Sequence, residues 1–251
     1  MNEAANSPSG GRGLKIALIG YGKMGRIIES IALERGHEIV LKIDVANAAD
    51  MTADNLRKAD VAIEFTSPHS AYNNVMKCLS AGVPLVCGST GWLDKLEEVK
   101  QYCLQHNGSF LYASNFSVGV NIFFEINKRL AELMNPHANY AIHMEETHHT
   151  QKLDAPSGTA TTLAEQVLER VARKKVWANG ETTDPSVLPI ISKREDPAPG
   201  THTVTYSSAI DTIEITHTAH NRHGFATGAV LAAEFLKDKK GIFSMKEVLG
   251  L

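Results

Sequence analysis

"LKIALIGYGKMG", residues Leu14–Gly25, is the most informative stretch of this 251-residue sequence. The short apolar and β-branched run Leu14–Gly20 predicts a buried parallel strand that ends at a glycine. Apolar residues then recur at helical spacing from Met24 to Ala32, which predicts a helix. The turn between the two elements, Gly20–Gly25, has the pattern G-x-G-x-x-G. Between a strand and a helix, this pattern is typical of a dinucleotide-binding loop.

The glycine turn and a downstream acid predict how a dinucleotide is held. The first glycine permits the tight turn, the second lets a pyrophosphate approach the backbone, and the third lets helix and strand pack closely. The N–H groups at the helix start hold the phosphates. Asp44 ends the second strand, 19 residues after Gly25, where an acid accepts hydrogen bonds from ribose hydroxyls. Because a carboxylate repels a 2′-phosphate, Asp44 favours NADH over NADPH, although Lys42 and Arg57 offer positive charge to a phosphorylated cofactor.

Strands alternate with helices as far as Phe116, which predicts a Rossmann-like, doubly wound parallel sheet. Ligands of such sheets bind outside the carboxyl ends of the strands. Three polar segments follow predicted strands: "FTSP" (Phe65–Pro68), "CGSTG" (Cys87–Gly91) and "ASNFS" (Ala113–Ser117). They are either ordinary turns or the lining of the nicotinamide end of a pocket. The candidate nicotinamide-binding residues are Phe65, Thr66, Gly88, Ser89, Thr90, Ser114, Asn115 and Phe116.

The pattern changes after Phe116. A long apolar-faced helix is followed by strands with period-two alternation that succeed one another directly. This order predicts a second, α+β domain with a mixed, largely antiparallel sheet. Residues 1–13, at the other end of the chain, lack the apolar core of a secretory signal, so we expect a flexible leader.

The bulk composition excludes several classes of partner. The net charge of −3 and the pI of about 6.4 argue against nucleic acid and anionic membranes as partners. No apolar run reaches the roughly 18 residues that a membrane span needs. The three cysteines show no C-x-x-C spacing, which fits a reducing cytoplasm.

The segment "EETHHTQKLDAPSGTA", Glu145–Ala160, concentrates proton-handling groups. A metal site is one interpretation, but the adjacent His148 and His149 would diverge on a strand, and no H-E-x-x-H or Cys/His cluster is present. We therefore expect no metal. A second interpretation is a solvated polar loop, in which Lys152 and the histidines have no function.

The residues after Lys152 favour a third interpretation, a binding site. Asp154 reads as a helix N-cap with Pro156 in the first turn, so Ser157, Gly158 and Thr159 would present their N–H groups to an anion. A histidine can act as a general acid, and a nearby ammonium can polarise developing negative charge. Together these groups predict a site for a small substrate that carries carboxylates. With a nicotinamide domain in the same chain, the reaction class is hydride transfer followed by protonation.

At this point the sequence resembles the 4-hydroxy-tetrahydrodipicolinate reductase family, also called dihydrodipicolinate reductases. The resemblance covers nearly the whole chain after the leader, and its most specific part is the H-H-x-x-K-x-D-A-P-S-G-T signature. The similar segments are "IGYGKMG" (Ile19–Gly25), "EFTSP" (Glu64–Pro68), "CGSTG", "SNFSVGVN" (Ser114–Asn121), "ETHHTQKLDAPSGTA" (Glu146–Ala160), "EITHTAHNRHGFATGAV" (Glu214–Val230) and "GIFSMKEVL" (Gly241–Leu249).

The resemblance implies a function and a role for each site residue. The reaction would be the NAD(P)H-dependent reduction of 4-hydroxy-tetrahydrodipicolinate to tetrahydrodipicolinate, with loss of water, in the diaminopimelate pathway to lysine. The first histidine of the signature, His148, would be the general acid, and Lys152 would be essential to the reduction. The substrate carboxylates would be bound by His149, Lys152, Ser157, Gly158 and Thr159. The cofactor would lie on Gly20, Tyr21, Gly22, Lys23, Met24, Gly25 and Asp44, with Gly88, Ser89, Thr90, Ser114, Asn115 and Phe116 near the nicotinamide.

The resemblance also implies a domain plan and an assembly. Residues 14–116 and 222–251 would form the dinucleotide-binding domain, and residues 117–221 a domain that binds substrate and builds a homotetramer. Two departures from the family pattern stand out. Thr150-Gln151 replace basic residues found in many members, and no arginine follows Asp44, which argues against dual use of NADPH.

Two other functions remain open from the sequence. One is a different two-domain dehydrogenase, of the aspartate or homoserine type, against which the Asp-Ala-Pro-Ser-Gly-Thr segment argues. The other is a non-catalytic NAD-sensing protein, which would leave the pairing of His148 and Lys152 unexplained.

Overall fold

The chain divides into two compact units in a computed structural model that describes residues 12–251. The first unit contains the described residues up to Ser117 together with Phe225–Gly250. The second unit contains Val118–Gly224 and the terminal Leu251. The chain therefore leaves the first unit once and returns to it near its C-terminus.

The described residues form eleven strands and eight α-helices. The strands are β1 (Lys15–Ile19), β2 (Glu38–Ile43), β3 (Val61–Glu64), β4 (Leu85–Cys87), β5 (Ser109–Tyr112), β6 (Ala141–His148), β7 (Val176–Asn179), β8 (Val187–Arg194), β9 (Gly200–Ser207), β10 (Thr212–Ala219) and β11 (Gly241–Phe243). The helices are α1 (Lys23–Glu34), α2 (Ala53–Leu56), α3 (Pro68–Ser80), α4 (Leu96–Gln105), α5 (Val118–Met134), α6 (Gly158–Arg170), α7 (His223–Leu236) and α8 (Met245–Leu249). Two 3-10 helices span Val45–Asp50 and Leu93–Lys95.

The first unit contains a parallel sheet in the order β11-β5-β4-β3-β1-β2. Its central strands are mostly apolar because both faces of the sheet are covered. On β1, Ile16 and Leu18 pack into one buried cluster with α1 and α7, whereas Ala17 and Ile19 pack into a second cluster with α3 and α4. The prediction of a doubly wound parallel sheet is confirmed.

Two parts of the first unit differ from a regular alternation of strands and helices. The short connection from β2 to β3 contains a 3-10 helix and the single turn α2 instead of a full crossover helix. The C-terminal strand β11 pairs with β5 and adds a sixth strand that the sequence did not reveal. Its three residues are too few to show a periodic pattern.

The second unit contains a mixed sheet in the order β10-β9-β6-β8-β7. The pairs β10–β9 and β9–β6 are antiparallel, whereas β6–β8 and β7–β8 are parallel. The predicted mixed, largely antiparallel sheet is confirmed, since the two antiparallel ladders contain more paired residues than the two parallel ones. The short strand β7, which follows α6, was not predicted from the sequence. Helices α5 and α6 supply most of the buried apolar residues that pack against the sheet.

Helix α6 is shorter than the sequence predicts. The sequence predicts a helix from about Ser157 to Lys175, but α6 ends at Arg170, since Val171 has extended dihedral angles (φ −105°, ψ 93°). The predicted leader, residues 1–13, lies outside the described residues except for Arg12 and Gly13. Between residues 12 and 251, no helix has the length and apolar character that crossing a membrane would require.

Candidate active site

The glycine turn of the first unit joins β1 to α1. Gly20 has a φ of +99°, and a Cβ atom there would lie 2.0 Å from the carbonyl oxygen of Phe65. A Cβ on Gly25 would lie 2.3 Å from the carbonyl oxygen of Gly20. A Cβ on Gly22, by contrast, would meet no described atom within 4 Å, and Gly22 is the N-cap of α1. The first and third glycines are therefore needed for packing, while the second leaves the helix start open to a phosphate.

Asp44 follows β2 and lies exposed beside this turn. Its Oδ1 atom accepts a hydrogen bond of 2.7 Å from the N–H of Val45 and so caps the following 3-10 helix. Lys42, two residues earlier, is already engaged. Its Nζ atom lies 2.6 Å from a carboxylate oxygen of Glu29 and 5.0 Å from the centre of the Tyr21 ring. The cation nearest to Asp44 in sequence is thus neutralised within the protein.

The structure brings several of the candidate nicotinamide-binding residues together at the carboxyl ends of β3, β4 and β5. The N–H of Thr66 donates to Ser89 Oγ over 2.7 Å. Gly88 lies against the ring of Phe65, where a Cβ would come within 2.3 Å of ring carbons. The rings of Phe65 and Phe116 are 5.5 Å apart. Ser114 and Thr90 are exposed, and Asn115 is buried, with its Oδ1 accepting from the N–H of Ser117 over 2.9 Å.

A buried acid accompanies these residues. Glu64, at the end of β3, is fully buried and accepts hydrogen bonds from Thr66 Oγ1 and, over 3.1 Å, from the thiol of Cys87. Burial and the Glu64 carboxylate raise the pKa of Cys87 well above its usual value, so that thiol stays protonated. Glu64 and Cys87 therefore stiffen the edge of the sheet on which the predicted cofactor loops lie.

In the second unit, strand β6 carries His148 on its buried face. Burial alternates along the strand, so Ile142, Met144, Glu146 and His148 share one face, while His143 lies exposed on the other. Ile142 and Met144 belong to the apolar core, whereas Glu146 and His148 place a carboxylate and an imidazole on the same face. Glu146 is 0% and His148 6% exposed. Proton-handling groups thus occupy the end of a core strand, where water is excluded.

The register of β6 with its neighbouring strands brings the side chains of Arg194 and His202 close to Glu146 and His148. β6 pairs in parallel with β8, with His148 opposite Arg194, and antiparallel with β9, with Glu146 opposite His202. Arg194 Nη2 lies 3.4 Å from Glu146 Oε1, and His202 Nε2 lies 3.7 Å from Glu146 Oε2. The two histidine rings are 5.0 Å apart. Glu146, Arg194 and His202 were not identified as site residues from the sequence. For Glu146 the period-two spacing to His148 was the available signal.

The start of α6 corrects two expectations. The N-cap is Ser157, whose Oγ accepts from the N–H of Ala160 over 3.2 Å, and not Asp154. Asp154 lies three residues before this cap, and its carboxylate is bound by Lys152, whose Nζ lies 2.8 Å from both carboxylate oxygens. The N–H of Ser157 was expected to serve a ligand, but it donates to both oxygens of Glu146, over 3.1 and 3.0 Å. Gly158 leaves its side of the helix start open, since a Cβ there would meet no described atom within 4 Å.

Burial sets the charge states in this cluster. Burial disfavours ionisation of Glu146, yet the hydrogen bonds from Ser157 and the charge of His148 outweigh it, so its pKa lies below its usual value. Burial lowers the pKa of His148, and Lys152 and Arg194 lower it further, whereas Glu146 opposes the shift. Burial and the neighbouring His148 lower the pKa of His202 to about 3. At neutral pH, His202 is therefore uncharged and Glu146 is ionised.

The donor atoms of Glu146, His148 and His202 lie within 4.8 Å of one another, which is a spacing that a metal ion could bridge. The expectation of no metal rested on the pair His148–His149, and these residues do diverge, with only His148 buried. The fold instead brings His148 together with Glu146 and His202. The Glu146 carboxylate already accepts two contacts from the Ser157 N–H and lies beside the guanidinium of Arg194. These contacts favour a hydrogen-bonding role over metal ligation.

Comparisons with known proteins cover both units. Residues 14–116 match the family described as "Dihydrodipicolinate reductase, N-terminus", and residues 119–249 match "Dihydrodipicolinate reductase, C-terminus". The chain belongs to the dihydrodipicolinate reductase family. The glycine turn lies in the N-terminal part of the family and the histidine cluster in its C-terminal part. The resemblance inferred from the sequence is confirmed.

Individual relatives agree with this assignment. The chain is 51% identical over 238 residues to the 4-hydroxy-tetrahydrodipicolinate reductase of Christiangramia forsetii, covering 94% of this chain and 98% of the relative. It is 33% identical to the enzyme of the same name from Neisseria meningitidis serogroup C, covering 95% and 98%. Among solved structures, the dipicolinate-bound dihydrodipicolinate reductase from Paenisporosarcina sp. TG-14 has the same fold, with a TM-score of 0.73 at 24% identity over 94% of this chain and 98% of that one. The family is one of oxidoreductases, so the chain is an enzyme.

Proposed function

We propose that this chain reduces 4-hydroxy-tetrahydrodipicolinate to tetrahydrodipicolinate, with NADH or NADPH as reductant and loss of water, in the diaminopimelate route to lysine. Membership of the family over residues 14–116 and 119–249 supports the reaction. The observation that carries the proposal is the second unit's cluster, in which a buried histidine lies beside a lysine-bearing segment and an open helix start.

The residues present fit a nicotinamide dinucleotide. The start of α1 is open at Gly22 for the pyrophosphate, and Asp44 is exposed at the end of β2 for a ribose. When bound, the dihydronicotinamide supplies the hydride. The turns after β3, β4 and β5 would hold its ring through Phe65, Thr66, Gly88, Ser89, Thr90, Ser114, Asn115 and Phe116.

The second unit would bind the substrate and deliver the proton. Gly158 and Thr159 at the start of α6 would bind one substrate carboxylate. His149, Lys152 and the Ser157 hydroxyl would complete the carboxylate-binding site. His148 acts as general acid for the proton that balances the hydride added at ring carbon C4. Burial and two cations hold the pKa of His148 low in the free protein, and an approaching dianionic substrate raises it. The acid is therefore charged when the substrate is present.

One assay distinguishes the proposed reaction from the alternatives. NADH oxidation should require the product of the dihydrodipicolinate synthase reaction, and pyridine-2,6-dicarboxylate should inhibit it. Turnover with aspartate or homoserine in place of that product would favour another dehydrogenase. NADH binding without turnover on any of these substrates would favour the sensor.

We further propose a preference for NADH. Asp44 would repel the 2′-phosphate of NADPH. Lys42 is already paired with Glu29 over 2.6 Å, so neither residue would stabilise that phosphate. The ratio of kcat/KM for NADH to that for NADPH should exceed one. It should change little in Lys42→Met, because Glu29 already neutralises the charge of Lys42. A clear NADPH preference in the unmodified enzyme contradicts the assignment.

A homotetramer built by the second unit is also proposed. One face of its sheet packs on α5 and α6, while the other carries exposed or half-buried threonines, among them Thr203 and Thr216, whose hydroxyls lie 3.1 Å apart. Light scattering should give four times the chain mass of 27.3 kDa. A monomeric mass at micromolar concentration contradicts the proposal.

A cytoplasmic location is proposed from the cysteines. Cys78, Cys87 and Cys103, the full cysteine content of the chain, are all free and buried. Cell fractionation should recover the protein with cytoplasmic markers.

A further inference from the structure

One buried carboxylate, Glu146, lies at the centre of the cluster in the second unit. We propose that Glu146 is the positioning residue of the active site, which orients the general acid His148 and fixes the segment from Lys152 to Ser157 around it. This inference rests on the proposed function, since it assumes that His148 supplies the proton. It extends that function by assigning the orientation of the acid to a residue that does not itself reach the reacting atoms.

The imidazole of His148 has two distinct ends. Nδ1 is buried without a hydrogen-bond partner among the described residues and lies 3.5 Å from Glu146 Oε2. Nε2 faces Gly200, where a Cβ would come within 3.0 Å of it, so the glycine keeps that side free of a side chain. A contact of 3.5 Å is longer than a good hydrogen bond, and catalytic contacts of this kind shorten when charge develops. Glu146 thus favours a proton on Nδ1, and Nε2 is the atom left to deliver a proton to the substrate.

The same carboxylate anchors the substrate-binding segment. Both of its oxygens accept from the N–H of Ser157, directly before α6. Arg194, 3.4 Å from Glu146, donates to the carbonyl oxygens of Lys152 over 3.2 Å and of Asp154 over 2.6 Å. The segment that carries Lys152 and leads to the helix start is therefore tied at two points to the group that faces His148. A shift of Glu146 would move the acid and the carboxylate cradle relative to each other.

His202 leaves the charge of Glu146 available to His148. Its Nε2 lies 3.1 Å from Ser157 Oγ and 3.7 Å from Glu146, and burial keeps it neutral, with a pKa of about 3. The other charged groups that act on His148 are Lys152 and Arg194, which disfavour its protonation, and Asp154, which favours it. Glu146 is the strongest of the charges that favour the imidazolium. Removal of its charge should make His148 a stronger acid that is less often protonated at working pH.

The test is the pH profile of Glu146→Gln, which keeps the shape of the side chain and removes the charge. Activity needs protonated His148, so kcat falls as the pH rises through its pKa, and the alkaline limb should move to lower pH in the variant. Lowering the pKa of His148 by about one reduces its protonated fraction above that limb by about tenfold. Glu146→Asp, which restores the charge, should return the limb toward its original position. Glu145→Gln, on the opposite face of β6 and paired with Lys193 over 2.7 Å, is the matched control and should leave the limb in place.

A second measurement does not depend on turnover. NMR of isotope-labelled histidine in the unmodified enzyme, with His148 assigned from His148→Gln, should show the neutral ring protonated on Nδ1. In folded Glu146→Gln the ring should titrate at lower pH. A ring protonated on Nε2 in the unmodified enzyme overturns the proposal, and so does an unchanged limb and titration in folded Glu146→Gln. Absence of reductase turnover in the unmodified enzyme would instead refute the proposed function, while the NMR result still decides the role of Glu146.

Discussion

At the scale of single residues, the second unit uses burial to control charge. His148 and Glu146 lie two positions apart on one face of β6 and are excluded from water, whereas His149 and Lys152 lie in the segment that follows. Lys152 balances its charge against Asp154 at 2.8 Å in the free protein. A substrate carboxylate could replace Asp154 as its partner, because an exposed ion pair is weak and readily exchanged. The proposed acid, His148, and the proposed cation, Lys152, thus have different environments, which suits different roles.

The first prediction concerns these two residues. His148→Gln and Lys152→Ala should each lower kcat by roughly 10²–10⁴-fold, the scale of a lost general acid or polarising charge. NADH binding, measured by fluorescence, should be retained because the glycine turn belongs to the other unit. His143→Gln is the matched control, since His143 lies on the exposed face of the same strand. Turnover close to that of the unmodified enzyme in both variants would refute the assigned roles.

At the scale of secondary-structure elements, loops after parallel strands form the proposed dinucleotide site. The turn from β1 to α1 depends on two close approaches of backbone, at Gly20 and Gly25, and on one open position, Gly22. The turns after β3 and β4 are joined by the hydrogen bond from Thr66 to Ser89. These contacts hold the loops in place within the unit, so the proposed cofactor site is largely preformed.

The second prediction distinguishes the role of Gly25, which is needed for packing, from that of Gly22, which leaves the helix start open. Gly25→Ala should lower the free energy of unfolding and abolish NADH binding, because its Cβ would lie 2.3 Å from the carbonyl oxygen of Gly20. Gly22→Ala should fold with nearly unchanged stability, since its Cβ meets no described atom within 4 Å, but it should weaken NADH binding by blocking the pyrophosphate. Urea titration and fluorescence titration measure the two quantities. Equal losses of stability in both variants would contradict this division of roles.

At the scale of the whole molecule, the two units should differ in their response to acid. Burial lowers the pKa of three histidines of the second unit, the buried His148 and His202 and the half-buried His217. A histidine whose pKa is lower in the folded than in the unfolded state contributes stability that is fully present above the unfolded value of about 6.5. That contribution is lost as the pH falls, and for His202 the loss continues to about 3.

The third prediction follows from this loss of stability as the pH falls. Between pH 7.5 and 5 the free energy of unfolding of the second unit should fall, by up to about 1.4 kcal/mol per pH unit for each such histidine below pH 6.5. Urea unfolding, followed by hydrogen exchange of amides in β6 and β9, gives the values for this unit. His202→Gln should reduce the pH dependence, and His143→Gln, at an exposed position, should not. Stability that rises as the pH falls through this range would contradict the buried, neutral state of His202.

The local sequence pattern was sufficient for the architecture and to nominate part of the proposed site. Apolar runs and glycine stops specified the parallel sheet, because both faces of its strands are buried and local hydrophobicity reports that burial. The turn Gly20–Gly25 and the signature from His148 to Thr159 are contiguous, so their chemistry was readable along the chain. The short strands β7 and β11 were missed because three or four residues carry too little periodicity.

The centre of the proposed active site could be found only in the folded chain. Arg194 and His202 reach Glu146 only through the register of β6 with β8 and β9, across 48 and 56 residues of sequence, and no local pattern encodes that register. The capping of α6 shows the same limit. Asp154 and Ser157 are both good N-caps by residue type. Ser157 is the N-cap in the structure, where Lys152 binds the Asp154 carboxylate and Glu146 accepts a hydrogen bond from the Ser157 N–H. Residue types thus fix which groups are available, and long-range packing fixes which of them face one another.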